Sequence, residues 1–342
     1  MLPIQRQNDT TPLTGHGEKA QAFKAQSPLD ASAHAIPLQG IASLVPSSWV
    51  PYVQLTRVDR PGILAFLMPT LMGLCYGASI TDTPIPPVEL LQKTIFCYIA
   101  NLFIRGAACT WNDNLDQDID RQVPRTSNRP IARGAVSTTQ ANIFTLAQVL
   151  IVAWILSYLP PQCLPWSVAL GVLHVIYPLC KRVMDFAPAF LGLPFSVSMI
   201  LPIVSLGINP FSAPVVVLTV VEVAWSCICD TIYGHQDVKY DVQAGVGSMA
   251  VRFTNTSKLV TSILAAVIVV AMVFVGVSDN LADVYFLIGC GGTAVGLAAM
   301  IYFVDLAEPD SCMYWFRTGL LYVGWTRVGG FLAQYLLSLG SA

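Results

Sequence analysis

The chain has 342 residues, of which 54% are hydrophobic and only 11% are charged, against about 25% charged in an ordinary soluble domain. This composition excludes a water-soluble globular domain and indicates a protein that crosses a membrane several times. The net charge is −2 and there is no basic tract, so no nucleic-acid partner is predicted.

The N-terminal segment differs from the rest of the chain. Residues 1–34 are polar, rich in Pro and Ser, and of mixed charge. They lack the apolar core of a signal peptide, and their few cations are matched by acids, unlike those of an Arg-rich mitochondrial presequence. We expect residues 1–50 to form a disordered cytosolic arm and residues 51–342 to form the membrane domain.

Apolar segments of about twenty residues, the length that crosses a bilayer as a helix, follow one another after this arm. Nine are predicted, at roughly 62–80, 89–110, 138–158, 164–180, 187–207, 212–232, 258–277, 282–304 and 314–338. The sequence therefore predicts an all-α, polytopic membrane protein with about nine transmembrane helices.

Basic residues alternate between the loops that join these segments. The loops after the second, fourth and sixth segments carry Lys and Arg, whereas those after the first, third, fifth and seventh carry neither. Because Lys and Arg favour the cytosolic side, the N-terminus and the charged loops are predicted to face the cytosol. The eighth loop is ambiguous, and the endoplasmic reticulum is the expected membrane.

An acidic stretch, "WNDNLDQDIDRQVPR" (111–125), ends the second segment. At about 100° per residue, Asn112, Asp113, Asp116 and Asp120 share one helical face, and Asp118 points elsewhere. Charged groups this close to lipid are costly, so the shared face predicts a functional site. For Asp118 a solvated surface position is the favoured interpretation.

A second acidic stretch, "DTIYGHQDVKYD" (230–241), ends the sixth segment. Asp230, Asp237 and Asp241 are seven and four residues apart, which places them on one helical face with Tyr233 beside them. His235 falls on the other side and is interpreted as a surface residue. Both stretches are predicted at the cytosolic end, where they can face one cavity.

Two facing acidic stripes repel each other unless a cation lies between them. Carboxylate oxygens suit Mg²⁺, which proteins usually hold with one or two carboxylates and the phosphates of a substrate. Basic residues stand nearby, at Arg125, Arg129, Arg133, Lys181, Arg182 and Lys239. The combination predicts Mg²⁺ as cofactor and a metal-bridged phosphate as ligand. A cation transporter is the alternative, although it would be expected to place its polar groups near mid-membrane.

Four segments resemble the UbiA superfamily of intramembrane prenyltransferases. "RGAACTWNDNLDQDIDRQVPRTSNRPIARGAVS" (105–137) is similar to its first signature, and "DTIYGHQDVKYDVQAGVGSMAVRF" (230–253) to its second. "YPLCKR" (177–182) resembles the motif between them, and "LTRVDRPGILAFLMPTLMGL" (55–74) the opening segment. The resemblance covers nearly all of residues 50–340 and implies a UbiA-type bundle with a cytosolic-side cavity.

Within the superfamily, "ACTWNDNLDQDIDRQV" and "RPIARGAVSTTQ" most resemble fungal enzymes that prenylate aromatic polyketides on the way to meroterpenoids. The nearest group that we can name transfers farnesyl to orsellinic-acid-type acids. The implied reaction joins the prenyl group of a prenyl diphosphate to a carbon of a phenolic acid. A 4-hydroxybenzoate polyprenyltransferase of quinone synthesis and a haem-modifying farnesyltransferase are the rival members. Donor chain length stays open, and no obligatory protein partner is predicted.

The resemblance also implies roles for individual residues. The metal ligands implied are Asn112, Asp116 and Asp120 for one ion and Asp237 and Asp241 for the other, with Asp113 and Asp230 close by. The diphosphate-binding residues implied are Arg125, Arg129, Tyr177, Lys181 and Lys239. Asp116, Asp120, Asp237, Asp241 and Lys181 are the predicted catalytic set.

The acceptor needs an electron-rich ring, and an arginine would orient its carboxylate. Arg57 and Arg60 are three residues apart at the start of the first segment, so one helical face can hold both. Anchoring at the cytosolic surface explains either arginine equally well. Tyr233 and His174 complete the predicted acceptor pocket, although a satisfied structural histidine is the favoured interpretation of His174. Glu222, Arg317 and Arg327 are charged residues in apolar segments without an assigned role.

Overall fold

The structure is a computed structural model, and it describes residues 43–58, 63–180, 182–244 and 247–341. This part of the chain is helical throughout and contains no strand, which confirms the all-α fold class. Apart from residues 43–50, the predicted N-terminal arm lies outside the described residues. The helices are α1 Val50–Thr56, α2 Ile63–Ile80, α3 Pro87–Leu115, α4 Gln117–Asp120, α5 Thr138–Leu156, α6 Leu164–Cys180, α7 Ala187–Ser205, α8 Ala213–Gly234, α9 Val238–Ala244, α10 Met249–Arg252, α11 Ser257–Ser278, α12 Asp283–Tyr285, α13 Gly292–Phe303 and α14 Pro309–Ser341. A π-helical segment, Phe286–Gly291, joins α12 to α13.

Each apolar segment predicted from the sequence coincides with a helix. Within the described residues, six helical segments are long and apolar enough to cross a membrane. They are Thr138–Leu156, Pro161–Cys180, Ala187–Ser205, Ala213–Gly234, Ser257–Ser278 and Asp283–Phe303. The other three predicted spans correspond to α2, whose apolar part Leu64–Ile80 is shorter, and to the long, more polar α3 and α14.

Helix α7 lies at the centre of the bundle and is buried along most of its length. It packs against α2, α6 and α8, and α2 also packs against α14. Small residues let these backbones approach closely. A Cβ atom on Gly73 of α2 would lie 2.0 Å from the Met199 carbonyl oxygen of α7. One on Gly192 of α7 would lie 2.5 Å from the Cα atom of Val223 on α8, so close helix contact excludes larger side chains here.

The ends of α3 and α8 lie at the same end of the bundle, where the two acidic stretches continue into connecting segments. The first connection ends at α5, whose N-cap Ser137 forms a capping box with Gln140. The second contains the short helices α9 and α10, and Ser248 caps α10. The fold thus brings both acidic stretches to one face.

Arg57 is placed differently from the sequence prediction. It follows the short helix α1, with a left-handed backbone (φ 52°), and does not belong to the first spanning helix. Arg57 therefore lies at the end of α1, and the face that it is predicted to share with Arg60 stays a prediction, because residues 59–62 are not described. Asp59 and Arg60 themselves lie outside the described residues.

Candidate active site

The first acidic stretch is divided between two helices. α3 ends at Leu115, and Asp116, with φ −88° and ψ 4°, separates it from α4. The side chains of the predicted stripe are nonetheless buried, whereas Asp118 is exposed. Asn112 Nδ2 donates a hydrogen bond to Asp116 Oδ2 at 3.1 Å. The stripe stays together across the helix break, because Asp113 before it and Asp120 after it both contact Arg129.

Arginines hold this first group of carboxylates. Arg129 Nη1 lies 3.0 Å from Asp113 Oδ1 and 2.9 Å from Asp120 Oδ2, so the two carboxylates converge on one point. Arg57 forms a second ion pair with Asp113. Burial raises the pKa of the Asp120 carboxyl above its ordinary value, and the charges of Asp113 and Asp116 add to this rise. The site therefore concentrates negative charge that needs cations to neutralise it.

Arg125 links the first stretch to the second. Its Nε atom lies 3.1 Å and 2.9 Å from the two carboxylate oxygens of Asp237, between α8 and α9. Its Nη1 donates to the Tyr233 hydroxyl oxygen at 2.7 Å, and the guanidinium lies 5.0 Å from the centre of that ring. Asp237 is buried, and Asp230 and Asp241 are partly buried. A residue that follows α4 thus reaches α8, and the two acidic stretches share one site.

The donor set of this site fits a hard divalent cation. It consists of carboxylate oxygens and one amide oxygen, the ligands that Mg²⁺ prefers. Within the described ranges, no group of three or more His, Cys, Asp or Glu side chains is already arranged around a common metal position. Guanidinium groups lie among these carboxylates, with Arg129 where Asp113 and Asp120 converge. The position between Asp113 and Asp120 thus holds a positive charge, and its oxygen ligands also fit a divalent cation.

The remaining predicted site residues are placed as follows. Tyr177 is partly buried near the end of α6, and Lys239 is exposed on α9. Lys181 lies outside the described residues. Arg182, its neighbour, pairs with Asp118 at 2.8 Å and donates to the Leu115 carbonyl at 2.6 Å, where α3 ends. That ion pair lowers the pKa of Asp118, which takes part in a contact at the surface and not in the buried group.

Residues 66–324 match the UbiA prenyltransferase family. This match covers more than half of the chain and includes both acidic stretches. The chain belongs to the UbiA prenyltransferase family. It is therefore an enzyme, an aromatic prenyltransferase, and an integral membrane protein.

The relatives of this UbiA enzyme include several fungal proteins. Prenyltransferase stbC of Stachybotrys bisbyi is 34% identical, over 87% of this chain and 91% of its own length. DMOA farnesyltransferase nvfB of Aspergillus novofumigatus is 29% identical, over 87% and 95%. The mitochondrial 4-hydroxybenzoate polyprenyltransferase of Saccharomyces cerevisiae is 32% identical, over 81% and 74%. The chain is thus similar both to fungal prenyltransferases and to a 4-hydroxybenzoate polyprenyltransferase.

Solved structures of archaeal UbiA homologues share the fold. The apo homologue from Aeropyrum pernix K1 superposes with a TM-score of 0.65 at 21% identity, covering 78% of this chain and 97% of its own. A homologue from Archaeoglobus fulgidus bound to GPP and Mg²⁺ gives a TM-score of 0.62 at 15% identity, covering 83% and 99%. At these identities the likeness establishes the architecture.

A cavity of about 360 Å³ lies in the UbiA bundle among α2, α3, α6 and α7. It begins at Ile104, eight residues and therefore about 12 Å before Asn112 along α3. Its lining is mostly apolar and includes Leu201 of α7. The buried oxygens Asn101 Oδ1 and Ser198 Oγ also line it and have no hydrogen-bond partner within the described residues, so it can hold water beside an apolar ligand.

Two aromatic side chains that the sequence did not single out form a cluster with His174 of α6. Its ring stacks on Phe66 of α2, with centroids 5.9 Å apart and planes 20° apart. Phe66 in turn meets Phe195 of α7 edge to face at 5.2 Å. Helical periodicity gives no signal for this cluster, because its members come from three different helices.

A buried ion pair gives Glu222 and Arg327 a structural explanation. Arg327 Nη1 of α14 lies 2.9 Å from Glu222 Oε1 of α8, and both side chains are at most 1% exposed. The guanidinium also lies 5.0 Å from the centre of the Trp225 ring. The sequence marked both charges as unusual, but their pairing depends on how α8 packs against α14.

Proposed function

We propose that this enzyme transfers a farnesyl group from farnesyl diphosphate to a ring carbon of an orsellinic-acid-type phenolic acid, with Mg²⁺ as cofactor. The observation that carries the proposal is the contact of Arg125 with Asp237 and Tyr233, because it joins the two acidic stretches into a single site. That site combines carboxylates with arginines, which suits a metal-bound diphosphate better than a bare cation.

The apolar cavity supports a short isoprenoid donor. It extends from Ile104 along α3, away from the acidic site, so a donor with its diphosphate at the carboxylates would point its tail toward it. A volume of about 360 Å³ is at the lower end of the roughly 300–1,000 Å³ of ligand pockets. This size favours a farnesyl tail over the longer polyprenyl chains of quinone synthesis. The relative that carries the name farnesyltransferase supports the same donor.

The arginines have two sets of partners in the proposed reaction cycle. In the structure, Arg125 pairs with Asp237, and Arg129 pairs with Asp113 and Asp120. When the donor binds, both guanidiniums turn to the diphosphate oxygens, which they can bind in bidentate fashion. The carboxylates that they leave then become available to the metal. Lys181, Lys239 and Tyr177 are proposed to complete the diphosphate site.

Asn112, Asp116 and Asp120 would hold one Mg²⁺, and Asp237 and Asp241 the other, with Asp113 and Asp230 supporting them. Bound Mg²⁺ neutralises the charge that develops on the diphosphate as it leaves. The bond between C1 of the farnesyl group and the bridging oxygen breaks, and its electron pair stays on the diphosphate. A π-electron pair of the acceptor ring forms the new carbon–carbon bond, and the ring proton passes to the departing diphosphate.

The acceptor is proposed to enter beside the diphosphate. Arg57 pairs with Asp113 in the structure, and the metal ligands would compete for that carboxylate. Arg57 could then bind the acceptor carboxylate, with Arg60 and Tyr233 at the same mouth. The aromatic side chains around His174 would exclude water from the allylic cation.

The active site is proposed to face the cytosol from the membrane of the endoplasmic reticulum. The loops that carry Lys and Arg connect helices at the end of the bundle where the acidic site lies. Positive charge favours the cytosolic side of a membrane, so the site would share that side.

The second candidate function is 4-hydroxybenzoate polyprenyl transfer, which the yeast relative favours. A membrane assay separates the two candidates. Farnesyl and geranylgeranyl diphosphate are each offered with orsellinic acid and with 4-hydroxybenzoate, with and without Mg²⁺. We expect Mg²⁺-dependent transfer of farnesyl to orsellinic acid. Activity confined to 4-hydroxybenzoate would refute the acceptor, and activity confined to geranylgeranyl diphosphate would refute the donor.

A further inference from the structure

A backbone carbonyl group determines which ring nitrogen of His174 carries the proton. Nδ1 lies 2.9 Å from the carbonyl oxygen of Leu170, one helical turn earlier. A carbonyl only accepts, so Nδ1 carries the hydrogen, and Nε2 of the neutral imidazole presents a lone pair. That Nε2 atom is buried and has no hydrogen-bond partner within the described residues. Buried polar atoms are normally satisfied, so a donor outside the described residues is expected at this atom.

The turn of α6 that carries His174 lies beside the start of the first acidic stretch. Trp111 Nε1, next to Asn112 in the chain, donates to the carbonyl of Val175, next to His174, at 3.1 Å. This bond places the His174 turn of α6 level with the start of the first acidic stretch. Phe66 stacks on the imidazole, and Phe195 packs edge to face against Phe66. An aromatic molecule that enters this region finds flat apolar faces together with one hydrogen-bond acceptor.

We propose that His174 Nε2 accepts a hydrogen bond from the phenolic hydroxyl of the acceptor, an inference that rests on the proposed function. A phenol matches the environment, because its ring suits the aromatic faces and its O–H is the donor that Nε2 lacks. Accepting this bond increases electron density on the ring carbons ortho and para to the hydroxyl, where the farnesyl carbon attacks. His174 would orient the acceptor and make it more reactive, while the arginines hold the opposite, anionic end.

The test combines a change in the protein with a change in the substrate. His174→Phe keeps a flat ring that can stack but removes the acceptor atom, whereas His174→Gln restores an acceptor oxygen at a similar reach. Each variant and the wild type are assayed in membranes with farnesyl diphosphate and Mg²⁺. The acceptor is either orsellinic acid or its derivative in which the phenolic hydroxyls are methylated.

For His174→Phe we expect kcat/KM for orsellinic acid to fall about tenfold to a hundredfold relative to the wild type. With the methyl ether as acceptor, kcat/KM of the variant and of the wild type should be similar. His174→Gln should recover part of the activity. The ratio of the rates with the two acceptors, measured in one preparation, does not depend on the fraction of folded protein. A variant that folds poorly therefore still gives an answer. Equal losses on both acceptors, or no loss on the phenol, would overturn the role of His174.

The activity of the wild type distinguishes failure of the His174 proposal from failure of the proposed function. If the wild type does not transfer farnesyl to orsellinic acid, the proposed function fails, and the role of His174 fails with it. If the wild type is active but the variants keep the acceptor ratio, only the role of His174 fails. Mg²⁺-dependent binding of a farnesyl thiodiphosphate analogue should be the same in all three proteins, because His174 does not contact the diphosphate.

Discussion

Arg125 and Asp237 are 112 residues apart in the chain, yet the Nε atom of the arginine lies 3.1 Å and 2.9 Å from the two carboxylate oxygens of the aspartate. The same guanidinium covers the ring of Tyr233. The guanidinium group of Arg125 thus contributes its charge, its planar set of N–H donors and its flat face to this contact. A lysine supplies the charge but not the planar fork that binds both carboxylate oxygens and stacks on the ring.

Arg125→Lys is therefore expected to raise KM for the prenyl diphosphate at least about tenfold. Initial rates at varied donor concentration measure this effect. Arg133→Lys is the matched control, because Arg133 binds Gln54 and the Asn128 carbonyl and not the acidic cluster. Equal effects of the two substitutions would contradict a special role for Arg125.

The buried and exposed aspartates of the acidic stretches should differ sharply in importance. Asp116→Ala and Asp237→Ala are expected to reduce turnover by more than about a hundredfold, because each removes a proposed metal ligand. Asp118→Ala should be mild, because Asp118 is exposed and pairs with Arg182 at the surface. Turnover in membranes with saturating Mg²⁺ checks all three. Small, similar effects would show that the buried stripe is not the metal site.

The cavity along α3 should limit the length of the donor. Leu201→Phe places a larger side chain in the cavity and is expected to lower the use of farnesyl and longer donors while sparing dimethylallyl diphosphate. Competition between donors, followed by product analysis, measures the shift. Leu193→Phe is the control on the same helix, because Leu193 is exposed on the outside of the bundle. An unchanged donor preference in Leu201→Phe would place the tail elsewhere.

The Glu222–Arg327 pair should be important for stability. Removing one partner, as in Glu222→Leu or Arg327→Met, leaves a buried charge unpaired and is expected to cost about 3–5 kcal/mol of unfolding free energy. The double variant should lose less than the sum of the single variants, because no uncompensated charge remains. Thermal unfolding in detergent, followed by tryptophan fluorescence, measures the three variants. Additive losses would show that the two side chains act independently.

His235 should make stability depend on pH. Its Nε2 lies 2.8 Å from Ser257 Oγ, which itself donates to the Phe253 carbonyl, so the imidazole is the donor. Burial lowers the pKa of His235 below the value of about 6.5 expected for the unfolded chain. The unfolded state therefore binds the proton more readily, and this contribution to stability is present above pH 6.5 or so and is lost as the pH falls.

The melting temperature of the wild type should thus drop between about pH 7.5 and pH 5.5, and part of that drop should be absent in His235→Gln. If His235→Gln and the wild type show the same pH profile of the melting temperature, His235 does not contribute to it.

Much of this architecture could be predicted from local pattern. Apolar runs of about twenty residues coincide with helices, since burial of backbone polar groups in lipid leaves few alternatives. Helical spacing also separated the buried Asp116 and Asp120 from the exposed Asp118. It did not reveal the break at Asp116. The non-helical backbone dihedral angles of this one residue leave the spacing of the acidic residues in the sequence unchanged. Nor did helical spacing reveal that α1 ends at Thr56, so that Arg57 does not continue a helix.

The sequence by itself determined the membrane setting, the helical segments and the chemical character of the two acidic stretches, because hydrophobicity and helical spacing are properties of neighbouring residues. Only the tertiary structure decided which distant partners meet: Arg125 with Asp237, Arg129 with both Asp113 and Asp120, and Glu222 with Arg327. It also decided that Phe66 and Phe195 gather near His174. These contacts depend on the packing of helices that are far apart in the chain, and the local pattern of one helix carries no record of the side chains that another helix brings to it.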